Sequence, residues 1–225
     1  MQVWRNWQTR MVQVHVKAIS CRFKSCYLHQ KAVIGSTTND GLNLYQKGGD
    51  SMSTLTTDRL VLRPFKEGDA DMMYRNWTSD ENVARYCHWH KHENLDTTVW
   101  LLNMYLDEAA SGFEYRWAIT EKGTNEPIGA IDVVGITDDN TTAEIGYVLS
   151  KKHWGKGYVT EAFKAVIDEL FCHGFTKITA KHHVDNPASG RVMEKCGMCF
   201  VGYGKSTAKW GCDELCDVKF YELLK

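Results

Sequence analysis

A glycine-rich segment at 154–162 contains residue types that bind an anion through the main chain: Trp-Gly-Lys-Gly-Tyr-Val-Thr-Glu-Ala. A strand pattern precedes it at 143–149, and apolar residues at helical spacing follow it over 162–171. Glycines between a strand and a helix let successive N–H groups converge, and the positive end of the helix dipole lies behind them. The segment therefore suits a phosphate group, although a tight connection without a ligand would use the same glycines.

The composition is that of a globular protein. With 225 residues and 43% hydrophobic content, the chain is long and apolar enough for one ordinary domain with a substantial core. A net charge of −1 argues against a general nucleic-acid binder. No segment has the pattern of a membrane span or of a signal peptide. We therefore expect a cytoplasmic protein that binds neither nucleic acid nor membrane.

Residues 1–51 differ from the rest of the chain. They carry seven Lys/Arg and two Asp, so the remainder is mildly acidic. Their last part, 35–51, is a polar run typical of a flexible connector. A basic leader with few acidic residues is also the pattern of an organelle transit peptide.

Another interpretation fits this leader better. Segments 4–10 and 21–26 resemble what appears when a transfer-RNA gene is translated by mistake. We expect 1–51 to be a disordered or mis-annotated leader, and the native protein to begin at Met52 as a single domain over 52–225. Mass spectrometry of the endogenous N-terminus checks this expectation, and detection of the leader would contradict it.

Four of the eight cysteines have spacings that could form a four-thiolate zinc site: Cys196, Cys199, Cys212 and Cys216. Reduced, partly buried thiols are the other interpretation. We favour it because Cys196 falls in a helical run and Cys216 opens a strand. We expect no metal.

Three histidines, His88, His90 and His92, alternate along one loop. This alternation is a poor chelating geometry unless the segment is extended. We therefore expect a solvated or substrate-lining loop.

The surrounding pattern predicts alternating strands and helices in a mixed α/β sheet. Asp69 is the expected N-cap of the first helix, and Val99, Leu102 and Leu106 form an expected apolar stripe in a later one. The predicted strands are 59–63, 115–120, 127–134, 143–149, 177–182, 200–203 and 218–223. The later predicted helices are 160–173 and one that is capped by 186–189 and runs through Val192 and Met193 to Lys195. The strand–helix–strand unit around the glycine segment should have parallel strands, whereas the earlier strands should form an antiparallel meander.

Four segments occur in order: Thr57-x-Arg59-Leu60-x-Leu62-Arg63-Pro64-Phe65, Glu144-Ile145-Gly146-Tyr147, Trp154-Gly155-Lys156-Gly157-Tyr158-x-Thr160-Glu161-Ala162, and Asn186-x-x-Ser189-x-Arg191-Val192-Met193-Glu194-Lys195-Cys196-Gly197-Met198. Together they resemble the GNAT acetyltransferases, in particular the branch that acetylates the N-termini of ribosomal proteins. The resemblance covers about 52–225. The family's loop pattern is Arg/Gln-x-x-Gly-x-Gly/Ala, from which Trp154 and Val159 depart.

The resemblance implies a mostly antiparallel sheet with helices on both faces and a splayed parallel strand pair at the cofactor site. It implies acetyl-CoA as co-substrate, with pyrophosphate on the loop amides and pantetheine beside the preceding strand. The implied cofactor-binding residues are Tyr147, Val148, Leu149, Trp154, Gly155, Lys156, Gly157, Tyr158, Val159, Thr160, Asn186 and Ser189. For Asn186 and Ser189 helix capping is the alternative role.

The implied reaction is transfer of the acetyl group to a primary amine by direct attack in a ternary complex. Glu144 is the first candidate for the base, with a solvent-facing strand residue as the alternative interpretation. A family tyrosine that serves as the acid is replaced by Met193, so Ser189 is the first candidate for the acid and Tyr221 the second. The alternative function is a non-catalytic acyl-CoA-binding or sensing module on the same fold.

The acceptor should lie against Tyr86, His88 and Trp89 and the loop 205–214. The acidic balance of the body favours a cationic acceptor, such as a peptide N-terminus or a polyamine-like amine. Aminoglycosides and other small amines stay open. We expect a monomer or a homodimer.

Overall fold

The computed structural model describes residues 53–113 and 115–225. The expectation for the leader at 1–51 lies outside these residues. The strands are β1 (Leu55–Thr56), β2 (Leu60–Arg63), β3 (Arg116–Glu121), β4 (Pro127–Ile136), β5 (Thr142–Leu149), β6 (Lys177–His183), β7 (Cys199–Thr207) and β8 (Leu215–Leu224). The helices are α1 (Ala70–Met73, continued by a π-helical turn at Tyr74–Thr78), α2 (Glu81–Ala84), α3 (Leu95–Ala110), α4 (Tyr158–Cys172) and α5 (Pro187–Lys195).

The strands form one mixed sheet in the order β1-β2-β3-β4-β5-β6-β8-β7. All neighbours are antiparallel except β5 and β6, which are parallel. This confirms the predicted mostly antiparallel α/β sheet with one parallel pair. None of the helices in the described residues is long and apolar enough to cross a bilayer.

Helices cover both faces of the sheet because its strands alternate apolar side chains between two cores. One core joins α4 and α5 to the sheet through residues such as Trp117, Phe163 and Met193. The other packs α1, α2 and α3 on the opposite face through residues such as Trp77 and Leu102. The stripe predicted for α3 is partly wrong, because Val99 is exposed and Thr98, Leu101 and Leu102 are the buried residues.

Asp69 occupies the N-cap position of α1, as predicted, but its side chain does not act as a cap. Its carboxylate makes no cap hydrogen bond to α1. Instead it accepts two hydrogen bonds from the Arg63 guanidinium, each of 2.8 Å, and one from the Lys66 N–H. A bidentate arginine pair is the stronger partner for this nearly buried carboxylate. Asp69 therefore joins the end of β2 to α1.

The parallel pair β5–β6 is short. Its register pairs Thr142 with Lys177, Ala143 with Ile178 and Glu144 with Thr179 and goes no further. Beyond this point β5 stays paired with β4 and β6 with β8. The two strands therefore diverge and leave a wedge-shaped opening between them.

A β-bulge lies beside the point of divergence. Val134 of β4 has no partner, because Val133 pairs with Ile145 and Gly135 with Glu144. A bulge increases the local twist of its strand pair. A side chain at Gly146 would come within 2.8 Å of the Val134 side chain, so glycine is needed there. The Glu-Ile-Gly-Tyr segment thus accommodates the bulge where the sheet opens.

The histidine-containing loop is tied to α1 and α3 by a buried polar chain. His92 Nδ1 lies 2.8 Å from Thr98 Oγ1, which lies 2.8 Å from Thr78 Oγ1. Burial lowers the pKa of His92 to about 4. His92 is therefore neutral in the folded protein at neutral pH.

This histidine should make the fold acid-sensitive. In the unfolded chain His92 binds a proton near pH 6.5, whereas in the folded chain it does so only near pH 4. The stability that neutral His92 contributes is therefore present above pH 6.5 and is lost as the pH falls from 6.5 towards 4. Between about pH 7 and about pH 4.5 we expect a loss of the order of 2 kcal/mol from this residue. Urea unfolding at the two pH values should show a smaller loss in His92→Asn than in the wild type. The exposed His90→Asn control should keep the wild-type loss, and equal losses in all three would contradict the assignment.

Candidate active site

The glycine loop has the backbone geometry of an anion site. Gly155 and Gly157 have φ values of 75° and 79°, which lie in the left-handed region, and α4 begins at Tyr158. The first N–H groups of a helix have no intrahelical partner. The amides of Tyr158, Val159 and Thr160 and those of the loop are therefore free to converge on a phosphate.

A clamp that the sequence interpretation missed holds this loop in place. The Glu161 carboxylate accepts hydrogen bonds from the Thr57 hydroxyl at 2.6 Å, the Arg59 N–H at 2.8 Å and Arg59 Nε at 2.7 Å. Arg59 Nη1 in turn donates to the Lys156 carbonyl at 2.9 Å, and its guanidinium carbon lies 4.6 Å from the centre of the Tyr158 ring. Because a trans peptide is planar, holding the Lys156 carbonyl fixes the Gly157 N–H of the same peptide on the opposite side. The presence of Thr57, Arg59 and Glu161 in two of the quoted motifs was the available signal.

Trp154, which departs from the family pattern, has a structural role. Its indole N–H donates to the Leu149 carbonyl at 2.8 Å, and its ring is half exposed. This bond fastens the loop to the end of β5. The side chain therefore positions the loop. The main-chain N–H of Trp154 already donates to the Lys151 carbonyl at 3.3 Å, so a phosphate would be held by the amides that follow it.

Glu144 and Lys181 face each other across the opening between β5 and β6. Glu144 is the last residue of β5 paired with β6, and its carboxylate accepts a hydrogen bond from Lys181 Nζ. Both side chains are partly exposed. The candidate base therefore lies at the apex of the opening, with an ammonium group already beside it.

Tyr147 and Ser189 meet on the other face of the opening. The Tyr147 hydroxyl lies 2.6 Å from Ser189 Oγ and donates to the Ser189 carbonyl at 3.0 Å. Burial raises the pKa of Tyr147, so its hydroxyl keeps its proton at neutral pH. The candidate acid Ser189 is thus connected to a second hydroxyl, which the sequence interpretation placed only against the cofactor.

The side chains of the remaining candidates on this side make other contacts or none. Asn186 occupies the N-cap position of α5, but its side chain makes no cap hydrogen bond. Tyr221 is buried and donates to Glu194 at 3.2 Å. Burial raises the pKa of Tyr221. Met193, which replaces a tyrosine of the family pattern, is fully buried in the core.

A pocket lies between the loop after α2 and the β7–β8 hairpin, and we call it the loop pocket. It has a volume of about 150 Å³. The polar and charged side chains that line it are Arg85, Tyr86, His88, Lys181, His182, His183, Lys209 and Glu214. Two of the three predicted acceptor residues, Tyr86 and His88, line it together with the predicted hairpin loop. The third does not, because the Trp89 ring packs into the helical core 5.7 Å from the His92 ring.

Lys209 holds the two walls of the loop pocket together. Its Nζ donates to the carbonyls of Ala84, Cys87 and Trp89 at 2.6, 2.8 and 3.1 Å. His88 adds a contact, since its Nδ1 lies 2.8 Å from the Thr207 carbonyl. Burial lowers the pKa of Lys209, and the carbonyl dipoles take the place of a carboxylate partner.

Replacing Lys209 with methionine should loosen this wall without affecting the glycine loop. Hydrogen bonds to a charged group contribute about 1.5–3 kcal/mol, so we expect about a tenfold rise in the acceptor KM. The Kd of acetyl-CoA should stay within about twofold. Lys205→Met is the matched control, because Lys205 lies on the same hairpin and pairs with Asp217 at the surface. Equal effects of the two substitutions would contradict a positioning role for Lys209.

The cysteines that raised the zinc alternative have separate surroundings. Cys196 is buried and its thiol donates to the Thr160 carbonyl, whereas Cys216 donates to the Ser206 carbonyl. Cys199 and Cys212 are exposed.

The sequence of the chain is similar to that of known acetyltransferases. The family model described as an acetyltransferase (GNAT) domain matches residues 59–199. An uncharacterized N-acetyltransferase p20 of Bacillus licheniformis is 33% identical over 77% of this chain and 97% of its own length. The ribosomal-protein-serine acetyltransferase of Escherichia coli strain K12 is 36% identical over 43% of this chain and 54% of its own length.

A solved structure gives the same result for the fold. The crystal structure of a GNAT-family acetyltransferase from Bacillus anthracis superimposes with a TM-score of 0.65 and 26% identity, covering 76% of this chain and 98% of that one. The match to the Escherichia coli enzyme supports the resemblance to the branch that acetylates ribosomal proteins. The chain belongs to the GNAT family of acetyltransferases and is an acyltransferase.

Proposed function

We propose that residues 52–225 form one N-acetyltransferase domain that moves an acetyl group from acetyl-CoA to a primary amine in the cytoplasm, as a monomer or a homodimer. The observation that carries the proposal is the opening between β5 and β6, which ends at the glycine loop and has Glu144 on one face and the Tyr147–Ser189 pair on the other. One opening thus offers a cradle for phosphate, unpaired strand edges and groups for proton transfer.

We expect acetyl-CoA to bind in one orientation, with its pyrophosphate at the glycine loop and its pantetheine arm along β5. The pyrophosphate would lie on the amides from Gly155 to Thr160, at the positive end of α4. The amide-bearing pantetheine would run along β5 at Tyr147, Val148 and Leu149, where divergence from β6 leaves main-chain groups without strand partners. The Asn186 side chain makes no cap hydrogen bond to α5 and is therefore available to bind the pantetheine arm.

The proposed chemistry is a direct displacement. The amine nitrogen bonds to the thioester carbonyl carbon and the C–S bond breaks. Glu144 takes the proton that the amine loses, and Ser189 gives a proton to the departing thiolate, with Tyr147 behind it to restore that proton. A main-chain N–H near Val148 would polarise the carbonyl oxygen.

Two classes of acceptor amine have support. A peptide N-terminus is supported by the name of the Escherichia coli relative, which acts on a serine of a ribosomal protein. A small-molecule amine remains the second candidate, because the loop pocket is small.

A thiol-release assay tests the proposal. The full chain is mixed with acetyl-CoA and one amine at a time from a panel of amino acids, polyamines and peptides with different N-termini. The products are identified by mass spectrometry. We expect amine-dependent release of CoA together with an acetylated amine. Tight binding of acetyl-CoA without release with any amine would instead indicate the binding or sensing module.

A further inference from the structure

We propose that the acceptor amine carries an anionic group, a carboxylate or a phosphate, that binds in the loop pocket beside Arg85. The inference rests on the proposed acetyl transfer, because it concerns the acceptor of that reaction. Lys181 lines the loop pocket and also donates to Glu144, the proposed base. An acceptor whose amine lies at Glu144 therefore places its remaining atoms in this pocket.

The charges that line the loop pocket are mainly positive. Three basic side chains, Arg85, Lys181 and Lys209, line it against one carboxylate, Glu214. Glu144 lies just outside and compensates Lys181. An excess of positive charge remains, although the body of the protein is acidic. A polyamine in this pocket would be repelled, whereas an anion would be attracted.

Two of the three histidines that line the pocket do not change this balance. Burial lowers the pKa of both His88 and His182, so both imidazoles are neutral at pH 7. His88 Nδ1 faces the Thr207 carbonyl and therefore carries the proton. His88 Nε2 is then a hydrogen-bond acceptor and His88 adds no charge.

Arg85 is the cation that a ligand can use. Lys181 is engaged by Glu144, and Lys209 by main-chain carbonyls. The guanidinium carbon of Arg85 lies 5.3 Å from the centre of the Tyr86 ring, and no carboxylate in the described part of the chain pairs with it. A planar guanidinium resting on an aromatic ring has its N–H edge free for a bidentate contact with a carboxylate or a phosphate.

The test compares amines that differ only in charge. The full chain is assayed for CoA release with an amino acid and its carboxamide, with O-phosphoethanolamine and ethanolamine, and with spermidine. The two acid arms separate a carboxylate from a phosphate. We expect kcat/KM to be about tenfold higher or more for at least one acid than for its uncharged partner, and lowest for spermidine.

Arg85→Gln identifies the group responsible. We expect this substitution to lower kcat/KM for the preferred acid about tenfold. The value of kcat/KM for the amine that lacks the acid group should stay within about twofold of the wild-type value. Arg75→Gln is the matched control, because Arg75 is an exposed arginine outside the pocket whose ion pair with Asp71 is long, at 4.0 Å. This control should leave kcat/KM unchanged for both amines.

The inference and the proposed function fail in different ways. Release of CoA with spermidine or carboxamides at rates equal to the acids, or an equal effect of Arg85→Gln on both partners, overturns the inference and leaves acetyl transfer intact. If no amine releases CoA, calorimetric titration with an N-acetylated amino acid and its amide decides the inference separately. Preferential binding of the acid that is lost in Arg85→Gln supports it, and equal or absent binding overturns it.

Discussion

Gly157→Val is expected to weaken acetyl-CoA binding by about tenfold to a hundredfold. Gly157 has a φ of 79°, where a residue with a branched side chain is strained by about 1–2 kcal/mol. A methyl group at this position would meet only Arg59, at 3.6 Å, so the effect comes mainly from the backbone. When the loop relaxes, its amides no longer converge on the pyrophosphate. Calorimetric titration with acetyl-CoA measures the loss.

A second glycine separates the local effect from loss of stability. Gly174 follows α4, has a φ of 97° and has no atom within 4 Å of an added Cβ. Gly174→Val should therefore lower the free energy of unfolding by a similar amount while acetyl-CoA still binds normally. If both variants lose affinity equally, the loop does not form the phosphate site.

Ser189→Ala and Tyr147→Phe are each expected to lower kcat by about a hundredfold, with acetyl-CoA affinity nearly unchanged. The two hydroxyls lie 2.6 Å apart and would pass one proton to the leaving thiolate. Because they act as one chain, the double variant should be little slower than either single variant. Steady-state kinetics with saturating acetyl-CoA and calorimetry together provide the measurement.

The control for these substitutions is Tyr203→Phe, which removes the hydroxyl of a largely exposed tyrosine on β7. It should leave kcat unchanged. A wild-type kcat in Ser189→Ala would mean that the thiolate leaves without an acid. Additive losses in the double variant would mean that Tyr147 and Ser189 act separately.

The sequence was sufficient for most strands of the sheet and for the glycine loop because local patterns determine both. Strand alternation, turn residues and helical spacing act over short distances. The parallel β5–β6 pair followed from a helix between two strands, and the left-handed glycines from their position before α4.

The side-chain pairs across the opening could not be predicted in this way. Tyr147 and Ser189 are 42 positions apart, and their contact depends on how α5 packs against β5. The clamp of Arg59 on Glu161 spans 102 positions. In both cases the motifs contained the residues, but motifs carry no information about which side chains meet.

The loop pocket differs most from what the sequence led us to expect, because its lining depends on competition for burial and charge. Trp89 packs into the helical core, since a large aromatic ring gains more from burial than from lining a wet pocket. The acidic balance of the chain favoured a cationic acceptor, yet three basic side chains line the loop pocket. Net charge describes the whole surface and does not determine the charge of one pocket.

Direct attack in a ternary complex is tested by initial-rate kinetics in which acetyl-CoA and an active amine are both varied. The account predicts intersecting double-reciprocal lines and no release of CoA from the full chain until the amine is added. Parallel lines with a burst of CoA equal to the enzyme concentration before amine addition would show an acetyl-enzyme intermediate and contradict direct transfer.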